Sequence, residues 1–338
     1  MRIIILGLGV VGKAFLGLLM VEKEDLYRKY GLDPSIVAVA DSKTAVYNPS
    51  GLDMERLLDH KERVGSLEGH PDQTDLDTMS LVKEVEAEVL VEVTPSNLTT
   101  GEPGLSHIKG ALTSGKHVIT ANKGPLALEM PALVELFDHK GLRILFSGTV
   151  GGGTPFLKFV KKCLAGERIV SIRGVLNGTT NYILNRMEHG ISFQDALKEA
   201  QEKGYAEADP TNDVDGWDSA AKLVILSNWA MDSGVTMNDV TVKGIRDVVL
   251  HKELLKEGKT IRLIATSDDV GLRVQPEVLP RNDPLVVPDA LNAVSFTAEI
   301  SGRHTLVGKG AGGKETAAAL IRDLVELKMY MRGGIELC

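Results

Sequence analysis

Cysteine is nearly missing from this chain. It occurs only at positions 163 and 338, so neither a disulfide framework nor a thiolate metal site can be built, and the setting expected is the cytoplasm. Long apolar runs are missing too: none approaches the roughly 18 residues of a membrane span, and the apolar opening at residues 2–6 runs straight into a glycine turn without a small-residue cleavage site. Lysine and arginine form no block, and the formal charge is -8, which argues against nucleic acid or an anionic membrane as the main partner. Internal repeats, low-complexity tracts and long disordered linkers are also lacking. What is left is 338 residues, 43% hydrophobic and 25% charged, enough for two domains with cores of their own and suited to small-molecule chemistry.

Short apolar runs at 3–6, 36–40, 89–93, 117–120 and 143–146 alternate with longer helical patterns, the signature of parallel strands and crossover helices. Residues 1–150 therefore read as a doubly wound, Rossmann-type α/β domain. After Gly151-Gly-Gly153, a hinge-like loop, helices are expected near 155–165, 179–188, 192–203 and 216–231. A hairpin of 260–266 with 272–278 and a strand at 293–300 follow, making 151–310 a second, mixed α+β domain. A glycine turn from Gly308 opens a last helix to about Tyr330, and the segment 311–338 is expected to pack back on the first domain.

Gly7-Leu8-Gly9-Val10-Val11-Gly12 follows the first strand and opens an apolar helix, the context a dinucleotide fingerprint requires. The first glycine makes the tight turn, the second admits a pyrophosphate, and the third lets helix and strand pack, with the free helix N–H groups facing the phosphates. Asp41 ends the second strand, where an acidic residue bonds the ribose of NAD; Lys43 instead suits the extra phosphate of NADP. Asp41 falls late after the fingerprint, and residues 22–33 read as an insertion between helix and strand. Thr94-Pro95-Ser96-Asn97 and Thr120-Ala-Asn-Lys123-Gly-Pro125 follow two further strands, at the sheet end where such folds bind ligands.

The most informative stretch runs from Gly204 to Lys222. Glu207, Asp209, Asp213, Asp215 and Asp218 lead into a helix that is almost wholly apolar after Lys222. Ionised groups in such a helix are costly unless paired or used, and Asp218 and Lys222 stand one turn apart on one side. Thr211, Asp213, Asp215 and Gly216 imitate the start of a calcium loop, but the twelfth position, which needs a bidentate glutamate, is Lys222. Burial opposes the ammonium form of Lys222 and Asp218 favours it, so the pair suits a proton shuttle for hydride transfer, with Lys123 able to polarise the oxygen or share the proton.

Taken together these motifs resemble the homoserine dehydrogenases over nearly the whole chain, most specifically at Gly115-Lys-His-Val-Ile-Thr-Ala-Asn-Lys-Gly-Pro-Leu126, Gly148-Thr-Val-Gly-Gly-Gly-Thr-Pro155, Leu176-Asn-Gly-Thr-Thr-Asn-Tyr-Ile-Leu184 and the 204–222 segment. The resemblance implies NAD(P)-dependent interconversion of L-homoserine and L-aspartate 4-semialdehyde, toward threonine, methionine and isoleucine, by a homodimer joined through its second domain. It implies Lys222, Lys123 and Asp218 as catalytic, Glu207 and Asp213 as substrate contacts, and Gly310 and Ala311 as cofactor contacts; Thr179 and Tyr205 read either as hydroxyl contacts to the substrate or as capping and packing residues. It also implies a sodium ion held around Ser147, Val150, Gly152 and Thr154. Neither a C-terminal threonine-sensing domain nor a fused kinase is present, so threonine regulation is not expected.

Two other readings remain. A cysteine-acylating semialdehyde dehydrogenase is disfavoured because Cys163 reads as a core residue, spaced with Phe156 and Val160, and Cys338 ends the chain. A non-catalytic dinucleotide sensor is disfavoured by the intact Glu207, Asp218 and Lys222 set.

Overall fold

The computed structural model describes residues 1–333 and divides into two compact units, 1–149 with the C-terminal segment from 312, and 150–311. Cys338 and the end of the expected 311–338 segment lie outside the described residues. No helix among the described residues is long and apolar enough to cross a membrane.

The first unit is laid down as β1 (Arg2–Leu6), α1 (Val10–Tyr30), β2 (Ser35–Ala40), β3 (Ala45–Tyr47), α2 (Met54–Val64), β4 (Gln73–Thr74), α3 (Thr78–Glu84), β5 (Val89–Glu92), α4 (Gly104–Thr113), β6 (His117–Thr120), α5 (Lys123–His139) and β7 (Ile144–Leu145). The strand order is β4-β3-β2-β1-β5-β6-β7, parallel from β2 to β7. Covered on both faces, β1 buries Ile3 to Leu6 completely, which is why it reads as an unbroken apolar run. Strand order reverses between β1 and β5, the switch point at which such sheets take ligands. Two antiparallel strands, β3 and β4, were not expected; at three and two residues they are too short to carry an alternating pattern. Residues up to Tyr30 of the segment 22–33 do not lie between helix and strand: α1 runs on to Tyr30 and stops at Gly31 in the left-handed region, φ 58°.

The second unit holds α6 (Phe156–Lys158) running into a π-turn (Phe159–Cys163), then β8 (Ile169–Val175), α7 (Gly178–Glu188), α8 (Phe193–Glu202), α9 (Thr211–Val214) and α10 (Trp217–Met231). It continues with β9 (Val240–Val242), α11 (Lys252–Lys256), β10 (Lys259–Asp268), β11 (Gly271–Pro280), β12 (Leu291–Ala298) and β13 (Gly302–Lys309). The six strands are ordered β13-β12-β8-β10-β11-β9, with β8 inside the sheet between β12 and β10. Of these strands β8, β9 and β13 were not expected. The core of this sheet gathers Val175, Ile264, Leu279 and Ala293, and α10 is buried from Ser219 to Asn228.

Cys163 corrects an expectation, because its thiol is exposed. The π-turn widens the helix there, so the buried positions fall four apart at Phe156, Val160 and Leu164, and the thiol rotates outward. The last helix, α12 (Gly313–Met331), packs on α1 and adds Leu320, Leu324 and Leu327 to the core of the first unit.

Candidate active site

The fingerprint turn sorts its three glycines by what surrounds them. Gly7 has φ 106°, and a Cβ there would stand 2.5 Å from the Val93 carbonyl oxygen. A Cβ on Gly12 would stand 2.1 Å from the Gly7 oxygen, so this glycine lets α1 press on the turn. Gly9 has nothing within 4 Å of its Cβ position and gives α1 no side-chain cap, leaving the helix N–H groups open to a phosphate. Leu8 is buried beside it, whereas Val10 is 73% exposed and Val11 half-buried. At the start of α12, a Cβ on Gly313 would meet the Val10 side chain at 2.6 Å.

Asp41 stands at the end of β2, but its carboxylate is already engaged. Oδ1 accepts the backbone N–H groups of Lys43 and Thr44 at 2.8 and 3.0 Å; Oδ2 accepts Lys61 Nζ at 2.6 Å and the Leu67 N–H at 2.9 Å. Burial pushes this carboxyl up, yet the Lys61 bond and the two N–H groups outweigh it and hold it below its usual range. A ribose hydroxyl would have to share these lone pairs. Lys61, in α2, was not singled out from sequence; Lys43 is exposed.

The loops after β5 and β6 are tied through one fully buried carboxylate, Glu92. It accepts the Thr94 N–H at 3.1 Å, the Thr94 hydroxyl, and the Thr120 hydroxyl at 3.3 Å. Asn122 caps α5 through the Gly124 N–H at 3.1 Å, and the Lys123 N–H donates to Ser96 Oγ at 3.0 Å. Pro95 is exposed and Lys123 half-buried.

In the second unit the acidic lead-in folds onto the end of β8. Lys222 Nζ, on a residue only 6% exposed, donates to Asp218 Oδ2 at 2.7 Å and to the Leu176 carbonyl at 2.8 Å. Asn177 Nδ2 donates to Asp213 Oδ1 at 2.6 Å and to Asp218 Oδ2 at 2.9 Å, and Asn292 Nδ2 donates to the Leu176 carbonyl at 2.8 Å. Burial, and then the charge of Asp218, push the Asp213 carboxyl up. Thr179, in the first turn of α7, donates to the Tyr205 carbonyl at 2.5 Å, and the half-exposed Tyr205 ring lies 5.1 Å from that of Tyr182. Glu207 is exposed, and its backbone carbonyl accepts Gln201 Nε2 at 3.0 Å. Thus Asp213, Asp218 and Lys222 come together, while among the described residues no hydrogen bond or ion pair joins Glu207 to them.

Gly310 lies against Asn292, whose side-chain atoms a Cβ would meet at 2.0 Å, and the Ala311 nitrogen lies 3.1 Å from the Cβ position of Gly152. In the glycine loop Gly151 and Gly152 take φ 86° and 49°, Val150 is fully buried, and Thr154 Oγ1 donates to the Lys309 carbonyl at 3.1 Å. Ser147 spends its side chain elsewhere: its N–H and hydroxyl donate to the buried Asp323 of α12 at 2.9 and 2.6 Å. The oxygen-only donors of Val150, Gly152 and Thr154 fit a hard monovalent cation. No group of three or more His, Cys, Asp or Glu able to hold a metal occurs among the described residues.

Comparison with known proteins gives two family matches: the homoserine dehydrogenase NAD binding domain over residues 7–147 and the homoserine dehydrogenase domain over 155–325. A homoserine dehydrogenase of Methanocaldococcus jannaschii is 43% identical, covering 97% of this chain and 98% of its own. A crystal structure from Archaeoglobus fulgidus, assigned to the same enzymes, superposes with a TM-score of 0.90 at 37% identity, over 97% of this chain and 99% of that one. A hyperthermophilic archaeal homoserine dehydrogenase in complex with NADPH superposes with a TM-score of 0.86 at 28% identity, over 100% of this chain and 99% of that one.

Proposed function

Because the chain belongs to the homoserine dehydrogenase family, we propose that Lys222, steered by Asp218, moves the proton of the family's reaction. That reaction interconverts L-homoserine and L-aspartate 4-semialdehyde with NAD or NADP. The cysteine-acylating and non-catalytic readings are not favoured by these likenesses. The observation that carries the assignment is the buried Lys222 amine with two acceptors, Asp218 Oδ2 at 2.7 Å and the Leu176 carbonyl at 2.8 Å.

Asp218 Oδ2 and the Leu176 carbonyl fix the place of this nitrogen, from which it takes the hydroxyl proton of homoserine as the substrate carbon gives up a hydride. A nucleotide bound at the Gly7, Gly9 and Gly12 turn supplies the hydride acceptor. In reduction the same amine, charged, returns the proton to the carbonyl oxygen. Asp218 orients Lys222 in both directions, and Lys123, at the first turn of α5, polarises the substrate oxygen. Glu207 and Asp213 take the substrate ammonium, with Thr179 and Tyr205 beside them. A bound dinucleotide would be held by Gly7, Leu8, Gly9, Val10, Val11 and Gly12 through its phosphates, with Thr94, Pro95, Gly310 and Ala311 as further contacts. Ribose selection falls to Asp41 and Lys43. A sodium ion, where bound, is held by oxygens of Val150, Gly152 and Thr154 with Ser147 nearby in sequence, and steadies that loop.

A homodimer joined through the second unit and a cytoplasmic setting belong to the same proposal; family likeness supports the first and the two cysteines the second. Sedimentation showing only monomer at assay concentration removes the dimer. Lys222→Ala tests the core assignment: homoserine oxidation, followed by the absorbance of reduced nicotinamide, should fall by about two orders of magnitude or more with NAD(P)H binding kept. Normal turnover in that variant ends it.

A further inference from the structure

Lys222 has two recorded acceptors, and each is shared with an asparagine amide: Asp218 Oδ2 with Asn177, the Leu176 carbonyl with Asn292. We propose that Asn177 is the positioning residue of this cluster, holding Asp213 and Asp218 side by side with one amide nitrogen and so fixing the direction from which Asp218 grips the amine. The proposal rests on the acid/base role of Lys222.

The amide has two hydrogens and spends both on carboxylates, at 2.6 Å to Asp213 of α9 and 2.9 Å to Asp218 of α10. Its oxygen accepts the Thr180 N–H at 2.9 Å and caps α7. Turning the amide over would set its oxygen against two carboxylates, so the surrounding charge decides its orientation. Two carboxylates facing one site repel, and a shared neutral donor that is 4% exposed holds them together without adding charge. Serine in its place caps but cannot donate twice; aspartate caps but cannot donate in its ionised form.

The charged groups facing Lys222 are Asp218 from its own helix and Asp213 from α9. The β8–α7 junction and β12 present the uncharged Leu176, Asn177 and Asn292. Charges on β10 and β11 are committed elsewhere: Arg262 to Glu188, Arg273 to Asp268, and Glu277 to Arg173 on β8. On the π-turn, Lys161 lies over the Trp229 ring.

Asn177→Ser and Asn177→Asp test this, because both keep the cap of α7 and remove the bridge. In Asn177→Ser, kcat for homoserine oxidation should fall about tenfold or more, with the KM for NAD(P) unchanged, since misplacement of the order of 1 Å carries such a cost. In Asn177→Asp the rise of the oxidation rate with pH should also move to higher pH, because a third carboxylate favours the charged amine, which cannot act as base. If both variants fold and keep the parent kcat and pH profile, Asn177 is only a cap and the proposal is overturned. An unfolded Asn177→Asp leaves Asn177→Ser to decide by kcat alone. Lys222→Ala run alongside separates the failures: a dead Lys222→Ala with undisturbed Asn177 variants removes the positioning role, whereas an active Lys222→Ala removes the acid/base reading itself.

Discussion

Asp41 and Lys61 meet at 2.6 Å with side chains 3% and 13% exposed, an ion pair that ties the end of β2 to α2 and, through the Leu67 N–H at 2.9 Å, to the chain beyond it. Lys61→Met should therefore cost roughly 2 to 3 kcal/mol, somewhat below the full cost of breaking a sealed pair because the lysine sits at the rim. The Asp41 carboxyl is held below its ordinary 3.8, so its contribution is present above that pH and is lost as pH falls through the lowered value. Thermal melts of both proteins across acid pH check this: the melting temperatures should differ most near neutrality and converge in acid.

Asp213 works in the opposite sense. Its carboxyl is raised above 3.8 by burial and by Asp218, so the folded protein binds that proton more tightly than the unfolded chain. Its stabilising contribution belongs to low pH and disappears as pH rises from 3.8 through the raised value. Asp213→Asn, which keeps an oxygen for the Asn177 amide, should raise the melting temperature at neutral pH by a few degrees. It should also raise the KM for homoserine. A lower melting temperature at neutral pH would show that the anion is well compensated.

Gly9 and Gly12 should separate binding from folding. Gly9 has φ -86°, and its Cβ position is clear to 4 Å, so Gly9→Ala should melt like the parent while the KM for NAD(P) rises severalfold. Gly12→Ala places a methyl 2.1 Å from the Gly7 oxygen and should lose about 1 to 3 kcal/mol or more of stability. Equal melting temperatures for the two variants would contradict this division.

Cys163 is exposed, so iodoacetamide should label it readily in the folded protein. Turnover should survive labelling. Inactivation that homoserine prevents would return the thiol to the chemistry.

The parts of this molecule that were legible in sequence are those whose signal is local. Gly7, Gly9 and Gly12 lie within six residues, and the Asp218–Lys222 pair is one helical turn. The parallel strands announced themselves because burial on both faces removes polar residues from them. By contrast β8, Ile-Val-Ser-Ile-Arg-Gly-Val, carries an arginine and a glycine, and the arginine pairs at 2.7 Å with Glu277 of β11, a partner 104 residues on that no local pattern reveals. Asn177 reaches Asp213 and Asp218 across 36 and 41 residues, and Lys61 reaches Asp41 across 20. Such partners are set by tertiary packing. Cys163 misled for a different reason, since a π-turn changes the period on which the core reading depended.

The overlooked strand has a consequence for how this chemistry can vary. Leu176 and Asn177 directly follow β8, whose pairing aligns Val175 with Ala293 on one side and Gly174 with Ala265 on the other. A one-residue insertion or deletion in β8 would turn alternate side chains to the opposite face and carry the amine's carbonyl anchor about 3.3 Å along the strand axis. Length changes should thus be tolerated in hairpin tips such as Asp269–Val270, and rejected in the seven residues of β8 even where every substituted side chain is conservative.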